Sequence, residues 1–536
     1  MTFVAPSIDY LRLAPFLIIL GAACLGILVE AFVPRKPRFI TQIIVAVLAP
    51  LAAIGVTVWQ WGSVGQGLAD PHASASGKVV SGTVLIDGPT QGFWIILLAF
   101  GLISVILFAE RHVHSGATAF TPMAAAIPGS TLETEAADAG RAHSEVFPLA
   151  LFSLSGMMLF VAADDLLVLF VALEILSLPL YVLSGLARHR RMVSGEAALK
   201  YFLLGAAASA IFLFGVTMLF GYSGGFGYEA VAAAVQSPTQ SDSLMLAGLG
   251  LLAVGLLFKM GAVPFHSWVP DVYQGAPTPV TAFMSVCTKV AAVAGFLRLF
   301  YVCLGGMRWT WQPLVAGVAI LTMVVGAIIA INQSDVKRVL AYSSVAHAGF
   351  VLVPFVGAYT VQTGLKTWQM SSVGSIMFYL AAYGFATVGA FALVTLVRSQ
   401  GREVTALSAW SGIGRRHPWM GVTMLIFLLS LAGIPLTGGF VGKLVAFIAA
   451  WEGGYWWLTL VAVALSLVAV FIYFRVIQVM FFREPTAETG TVETPGAATW
   501  IVVVVCLVGT LGLGLVPGPV TEVLNQVSAF LMAAGF

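Results

Sequence analysis

The chain is 536 residues long, 60% hydrophobic and only 9% charged, with a formal net charge of +2. Soluble globular proteins carry about 25% charged residues, so this composition excludes an ordinary soluble domain, and its near-neutral balance implies no nucleic-acid partner. Apolar runs recur from end to end at lengths that suit a ~30 Å hydrocarbon core, without the short period-two segments of a membrane β-barrel; an all-α polytopic protein of the lipid bilayer is expected.

The first run, 13–33, follows no basic start or small-residue cleavage site and reads as a retained span. Spans follow at 39–61 and 91–110. The polar segment Arg111–Glu145, with TLETEAADAGRAHSE, reads as a flexible linker, with docking of a partner as the second reading. Next come 146–163 and 166–187, the latter holding Glu174, the only acid near the middle of any span. The span 195–221 carries Lys200 near one edge. The span 244–273 carries Lys259, then Pro264 and His266, and 278–304 carries Lys289 and Arg298. Spans at 313–331, 338–359 (with His347) and 372–398 lead to 418–450. A continuous helix over those 33 residues would be about 50 Å long, so a break is expected near Pro435–Gly439, with Lys443 beyond it. The spans 455–482, with Arg475, and 499–516 complete fourteen, separated by a second polar loop, REPTAETGTVETP. A short amphipathic helix is expected in the last eighteen residues.

Fourteen spans put the connections alternately on two sides. One set holds 15 Lys or Arg: PRKPR at 34–38, Arg111, Arg141, ARHRR at 187–191, Lys337, Arg338, Arg398, Arg402, Arg415, Arg416 and Arg483. The other holds 4: Arg12, Lys78, Arg308 and Lys366. The basic set is expected on the cytoplasmic side, with both termini outside. Arg298 and Arg475 read as structural anchors late in their spans, and Lys200 can snorkel to the headgroups. Lys259, Lys289 and Lys443 cannot easily do so. Each costs about 2.5–3.5 kcal/mol at the bilayer centre, and Glu174 can satisfy only one as a static pair. Burial and mutual repulsion favour the neutral amine, so Glu174 and these lysines read as a proton relay, with His266 and His347 as candidate carriers.

Pro264 removes a backbone donor and frees the Met260 carbonyl, as expected where a helix breaks beside a hydrated cavity. Pro264 and Pro435 are 171 residues apart, and the same offset carries Glu174 to position 345, beside His347. Residues 146–304 and 313–482 therefore read as two five-helix copies, inverted because five is odd, as in secondary transporters. Residues 1–145 and 499–536 flank them. The four cysteines (Cys24, Cys287, Cys303, Cys506) are scattered without a C-x-x-C pair. Neither phosphate-binding glycine motif occurs, so no metal, cluster or nucleotide cofactor is expected in this chain.

The runs FKMGAVPFHSWVPDVYQGAPTPV, SDVKRVLAYSSVAHAGF and LLSLAGIPLTGGFVGK resemble the antiporter-like membrane subunits of respiratory complex I, NADH:quinone oxidoreductase. They are also similar to the large subunits of multi-subunit monovalent cation/proton antiporters, which gives the alternative function. LEILSLPLYVLSG, Lys443 and the absence of a long C-terminal lateral helix look most like the shorter bacterial members. The resemblance implies a bacterial plasma-membrane subunit that moves H⁺ without a redox centre of its own. Flavin, iron–sulfur clusters and quinone would belong to partner subunits, and related antiporter-like subunits would be neighbours. It further implies that Glu174 pairs with and tunes Lys259, that Lys289 with His266 links two half-channels, that Lys443 is the terminal lysine, and that Lys200 sits at the cytoplasmic intake.

Overall fold

The computed structural model describes residues 8–67, 77–114, 116–127, 130–139, 142–236, 242–358 and 370–528. Arg141 and Lys366, two of the charges used to orient the chain, lie outside them. Helices α1 (Tyr10–Phe32), α2 (Arg35–Gly67) and α3 (Gly88–Phe108) precede the short α4 (Thr131–Asp138). Then come α5 (Val146–Ala162), α6 (Leu166–Ser184), α7 (Arg191–Ser223), α8 (Tyr228–Gln236), α9 (Asp242–Met260), α10 (Trp268–Gly275) and α11 (Thr278–Arg298). They are followed by α12 (Arg308–Ile331), α13 (Val336–Gly357), α14 (Ser372–Val394), α15 (Ile413–Arg416), α16 (Pro418–Ala432) and α17 (Gly438–Glu452). The last are α18 (Trp456–Phe482), α19 (Ala497–Leu515) and α20 (Gly518–Val527). Among the described residues, 12 helices are long and apolar enough to cross a membrane, and α5 and α16 are shorter apolar helices. Of the expected C-terminal helix, α20 is seen; residues beyond 528 lie outside the described residues.

Short polar side chains start the main helices. Asp9, Asp87, Asp165, Asp335 and Ser371 accept first-turn backbone N–H groups of α1, α3, α6, α13 and α14, satisfying donors that a helix leaves orphaned. The apolar windows of α11 and α13 are 100% buried, whereas those of α1, α2, α18 and α19 are 33% buried. The centre of the molecule is therefore α11 and α13, and the outer helices keep most of their apolar surface for lipid or partners.

The connections gather at two ends. At one, β1 (Lys78–Val79) pairs antiparallel with β2 (Val84–Leu85). There Asp164 bridges Thr83 and Tyr228 through its backbone, and Leu166 N–H reaches Phe226. At the other end, β3 (Val397–Ser399) pairs with β4 (Arg402–Glu403) and β5 (Thr491–Val492), and Val336 N–H reaches Thr405. Helix α11 joins the two ends: Thr278 receives a hydrogen bond from Lys337 at 3.1 Å, and Arg298 holds Asp87 at 2.6 Å.

Two sequence expectations need correction here. The segment Arg111–Glu145 is not a loose linker. Arg191 of α7 donates to the carbonyls of Met123, Ala124 and Ala126 and pairs with Glu133 at 3.0 Å. The loop after α18 is likewise tied, because Thr491 and Val492 add a strand to β3. Both segments are polar, but their side chains and backbone find partners on the bundle.

Matching features recur at an offset of 170 residues. Asp165 caps α6 and bridges Gly227; Asp335 caps α13 and bridges Ala406. Gly156 of α5 lies so close to Leu176 that a methyl group would overlap backbone, and Gly326 of α12 does the same against Ala346. This register sets Glu174 against Ser344, one residue from the expected position 345, and Ser177 against His347. The two aspartate caps sit at opposite ends of the molecule.

Candidate functional site

Both broken helices are built on the same C-terminal cap. After α9, Gly261 adopts φ +75°; its N–H bonds Phe258 O and that of Ala262 bonds Leu257 O. After α16, Gly433 adopts φ +85°, with Gly433 to Ser430 and Ile434 to Leu429. This paired pattern ends a helix in a left-handed turn that glycine adopts without strain. The break was expected from Pro264 and a freed Met260 carbonyl. The helix has already ended at Met260 when the chain reaches Pro264, and the carbonyl taken by a side chain is that of Phe258, from the Trp268 indole at 2.8 Å. Pro264 and Pro435 lie in the turns that follow.

Lys259 is buried on the last turn of α9. Its amine donates to Ser177 Oγ at 2.6 Å and Tyr181 Oη at 3.4 Å, and faces the rings of Tyr181 and Tyr201 at 5.3 and 5.5 Å. The expected direct pair with Glu174 is not formed. Glu174 makes no ion pair or hydrogen bond among the described residues, and its Oε1 is buried without a partner. Its charge lies within coulombic reach of Lys259 without touching it. On α6 it stands beside the exposed stripe Leu167, Val171, Leu178 and Val182, at the margin of the surface.

Lys289 is buried in α11 and donates to Ser344 Oγ at 2.7 Å and to the Ser344 carbonyl. Tyr383 Oη donates to the same Ser344 hydroxyl at 2.9 Å. One turn along α13, the buried His347 places Nδ1 2.6 Å from Tyr379 Oη and Nε2 3.1 Å from Tyr473 Oη. Its ring lies 4.9 Å from that of Tyr383. Lys443, on α17, folds back over the break. Its amine donates to Ala432 O at 2.8 Å, Leu431 O at 3.3 Å and Ser466 Oγ at 2.9 Å. A cation at a helix C-terminus is favoured by the dipole and by the orphan carbonyls. The Leu431 carbonyl also faces His347. A cavity of about 10 Å³ beside His347, Tyr379, Ser430 and Leu431 has room for about one water.

His266 is not brought to Lys289. It sits in the turn after α9, against the Pro264 carbonyl and 6.4 Å from the Tyr342 ring. The histidine that stands between two lysines is His347. Lys200 is half-exposed on α7 and pairs with Glu196 and Asp271, each at 2.8 Å; Arg338 holds the other Asp271 oxygen at 2.9 Å. No hydrogen bond among the described residues links this cluster to Lys259. The two anchors are placed differently from each other. Arg298 is wholly buried against Asp87, Thr90 and the Val161 carbonyl, while Arg475 caps the carbonyls of Ile331 and Gln333 at the end of α12.

The lysines are therefore solvated by hydroxyls and carbonyls. Ser177, Tyr181, Ser344, Tyr379, Tyr383, Tyr473 and Asp271 escaped the sequence reading. Ser344 lay within AYSSVAHAGF, and Tyr379 and Tyr383 share a helix face at i, i+4, patterns too common in membrane helices to single these residues out. The Lys259 and Lys289 groups are joined by rings rather than by hydrogen bonds. Tyr201 stacks on Trp268 at 4.7 Å, Trp268 meets Tyr273 at 6.3 Å, and the Tyr273 hydroxyl lies beside Ser344.

Residues 163–469 match the family described as "NADH:quinone oxidoreductase/Mrp antiporter, TM". A protein of Cutibacterium acnes named NADH-quinone oxidoreductase subunit N is 51% identical over 98% of this chain and 96% of its own length. Its namesake from Rhodococcus opacus is 49% identical over 99% and 97%. Among solved structures, a chain of respiratory complex I from Thermus thermophilus with bound aureothin superposes with a TM-score of 0.74 at 30% identity, covering 96% of this chain and 99% of that one. A chain of the Mrp complex from Dietzia sp. reaches 0.78 at 20% identity, covering 98% of each, a likeness of fold alone.

Proposed function

Because the chain belongs to the family of NADH:quinone oxidoreductase and Mrp antiporter membrane subunits, we infer that it is the proton-translocating subunit N of the membrane arm of respiratory complex I. It is a multi-pass protein of the bacterial plasma membrane, it works beside the other membrane subunits of that complex, and it carries H⁺ while electrons pass elsewhere. Flavin, iron–sulfur clusters and quinone are assigned to those partners.

The observation that carries the mechanism is the company of the three buried lysines. None of Lys259, Lys289 and Lys443 forms an ion pair among the described residues; each is held by neutral oxygens. Hydrogen bonds from a charged group contribute about 1.5–3 kcal/mol each. That roughly offsets the ~2.5–3.5 kcal/mol insertion cost of a lysine at the bilayer centre, so small changes in field decide whether an amine holds its proton. In our reading Lys259 takes up a proton under the influence of Glu174, and Lys289 receives it across the Tyr273–Ser344 region. His347 passes it toward Lys443, the terminal carrier. Lys200 and Asp271 stand at the intake, and His266 in the first break is a further carrier. The half-exposed Glu174 offers this line to a neighbouring subunit. We further propose fourteen spans, counting α9 with α10 and α16 with α17, two inverted five-helix copies, the Asp335 end in the cytoplasm and both termini outside.

The alternative is a subunit of a monovalent cation/proton antiporter. Metal cations seek carboxylate and carbonyl oxygens, whereas this path is dominated by amines and phenols that exchange protons. Lys259→Ala in the assembled complex should cut NADH-driven proton uptake into proteoliposomes, read by dye quenching, by more than half. Normal pumping in a fully assembled variant would end the relay assignment, and sodium-dependent exchange without NADH would favour the antiporter.

A further inference from the structure

At the Asp335 end lies a cavity of about 50 Å³ that the proton path does not use. Arg188, His189, Arg190, Lys337 and Arg398 line it, with Glu403 as the one carboxylate among the described residues. That carboxylate is engaged, accepting from Thr278 Oγ1 at 2.5 Å. Asp335, just behind, holds Gln274 and Thr405. Lys337 is buried, and among the described residues its amine donates to the Ala276 carbonyl, at 2.8 Å, and to Thr278. The Arg188 guanidinium makes no hydrogen bond among the described residues, and burial lowers its affinity for its proton. His189 is lowered too, first by burial and then by Arg188, Arg398 and Arg402. Glu133 acts on Arg188 and His189 through the field, and Glu493 on Arg398, but the lining itself sets Arg188, Arg190, Lys337 and Arg398 against Glu403.

Two further features favour an anion. Helix α11 starts at the cavity with Thr278, and Pro277 before it supplies no side-chain cap, so the positive end of a long helix dipole faces the space. The volume suits the ligand as well: at about 10–15 Å³ per water, the cavity takes three to five heavy atoms, the size of a tetrahedral phosphate. We propose that this cavity binds a phosphate-class anion, either a soluble phosphate or the phosphodiester headgroup of an anionic lipid. The site stands apart from the lysine line and does not depend on the proposed relay.

The test is equilibrium binding of radiolabelled inorganic phosphate to the assembled complex, wild type against Arg188→Gln, in phosphatidylcholine nanodiscs. The wild type should show one saturable site that is at least tenfold weaker in the variant. Arg190→Gln, at an exposed position, repeats the comparison if Arg188→Gln fails to assemble. Identical binding by wild type and the assembled variants overturns the proposal. In nanodiscs containing phosphatidylglycerol, loss of phosphate binding by the wild type assigns the site to the lipid headgroup, and retained binding assigns it to a soluble phosphate.

Discussion

Glu174 is the residue whose position says most about its work. A carboxylate that touched Lys259 would fix its proton; one that acts only through the field leaves the amine adjustable. Glu174→Asp keeps that charge and should retain most of the NADH-driven pumping, while Glu174→Ala should lose most of it in complexes of equal assembly; equal losses would remove the charge from the mechanism. Asp164, in the connection between α5 and α6, offers a pH test. Burial pushes its carboxyl from 3.8 up to about 6, against the opposing fields of Arg298 and Lys78. The folded state thus binds the proton more tightly than the unfolded one. The stability contributed is fully present below pH 3.8 and is lost as pH rises through about 6. Asp164→Asn should flatten that fall, measured as thermal unfolding of the detergent-solubilised complex between these limits. The lysines and Glu174 were legible in the sequence because a charge inside an apolar run has few explanations. The phenols and serines that solvate them were not, since such residues are common in membrane helices and only the fold shows which of them converge.

At the scale of the element, the two breaks are shaped by glycine more than by proline. Gly261 and Gly433 supply the left-handed turns, and Gly439 lets α17 pack against the end of α16. A methyl group there would overlap the Ser430 carbonyl, and backbone cannot yield as a flexible side chain can. Gly439→Ala should therefore lower stability by about 1–3 kcal/mol, seen as a drop in the melting temperature of the assembled complex; an unchanged value would mean that α17 can slide freely along α16. Proline marked the breaks to within three residues, which is why the sequence placed them well. It misassigned their cause, because the cap depends on a backbone conformation and not on the missing donor. The two polar loops were misread for a related reason: composition reports solvation, and the hydrogen bonds of Arg191 and the pairing of Thr491 are tertiary.

For the molecule as a whole, the burial pattern separates a polar centre on α11 and α13 from an apolar rim. Exposed Phe471, Phe474, Phe482, Trp456 and Trp457 on α18 and the stripe beside Glu174 leave broad surfaces for lipid and neighbouring subunits. Mild detergent extraction should therefore yield the chain with the other membrane subunits and the redox arm, identified by native mass spectrometry; isolation as a lone, active exchanger would contradict the assignment. The all-α membrane class followed from hydropathy, since the bilayer imposes a length on every element. The packing order of the helices did not, because an apolar surface does not name its neighbour. The aspartate caps Asp165 and Asp335, matched in sequence yet set at opposite ends, bear on biogenesis. If the two halves are inverted copies, as proposed, a pattern that folds pointing either way carries no address within its helices. During synthesis the direction of each half must be read from the connections, so moving a few arginines between loops is a more direct route to a mis-threaded chain than any change inside the bundle.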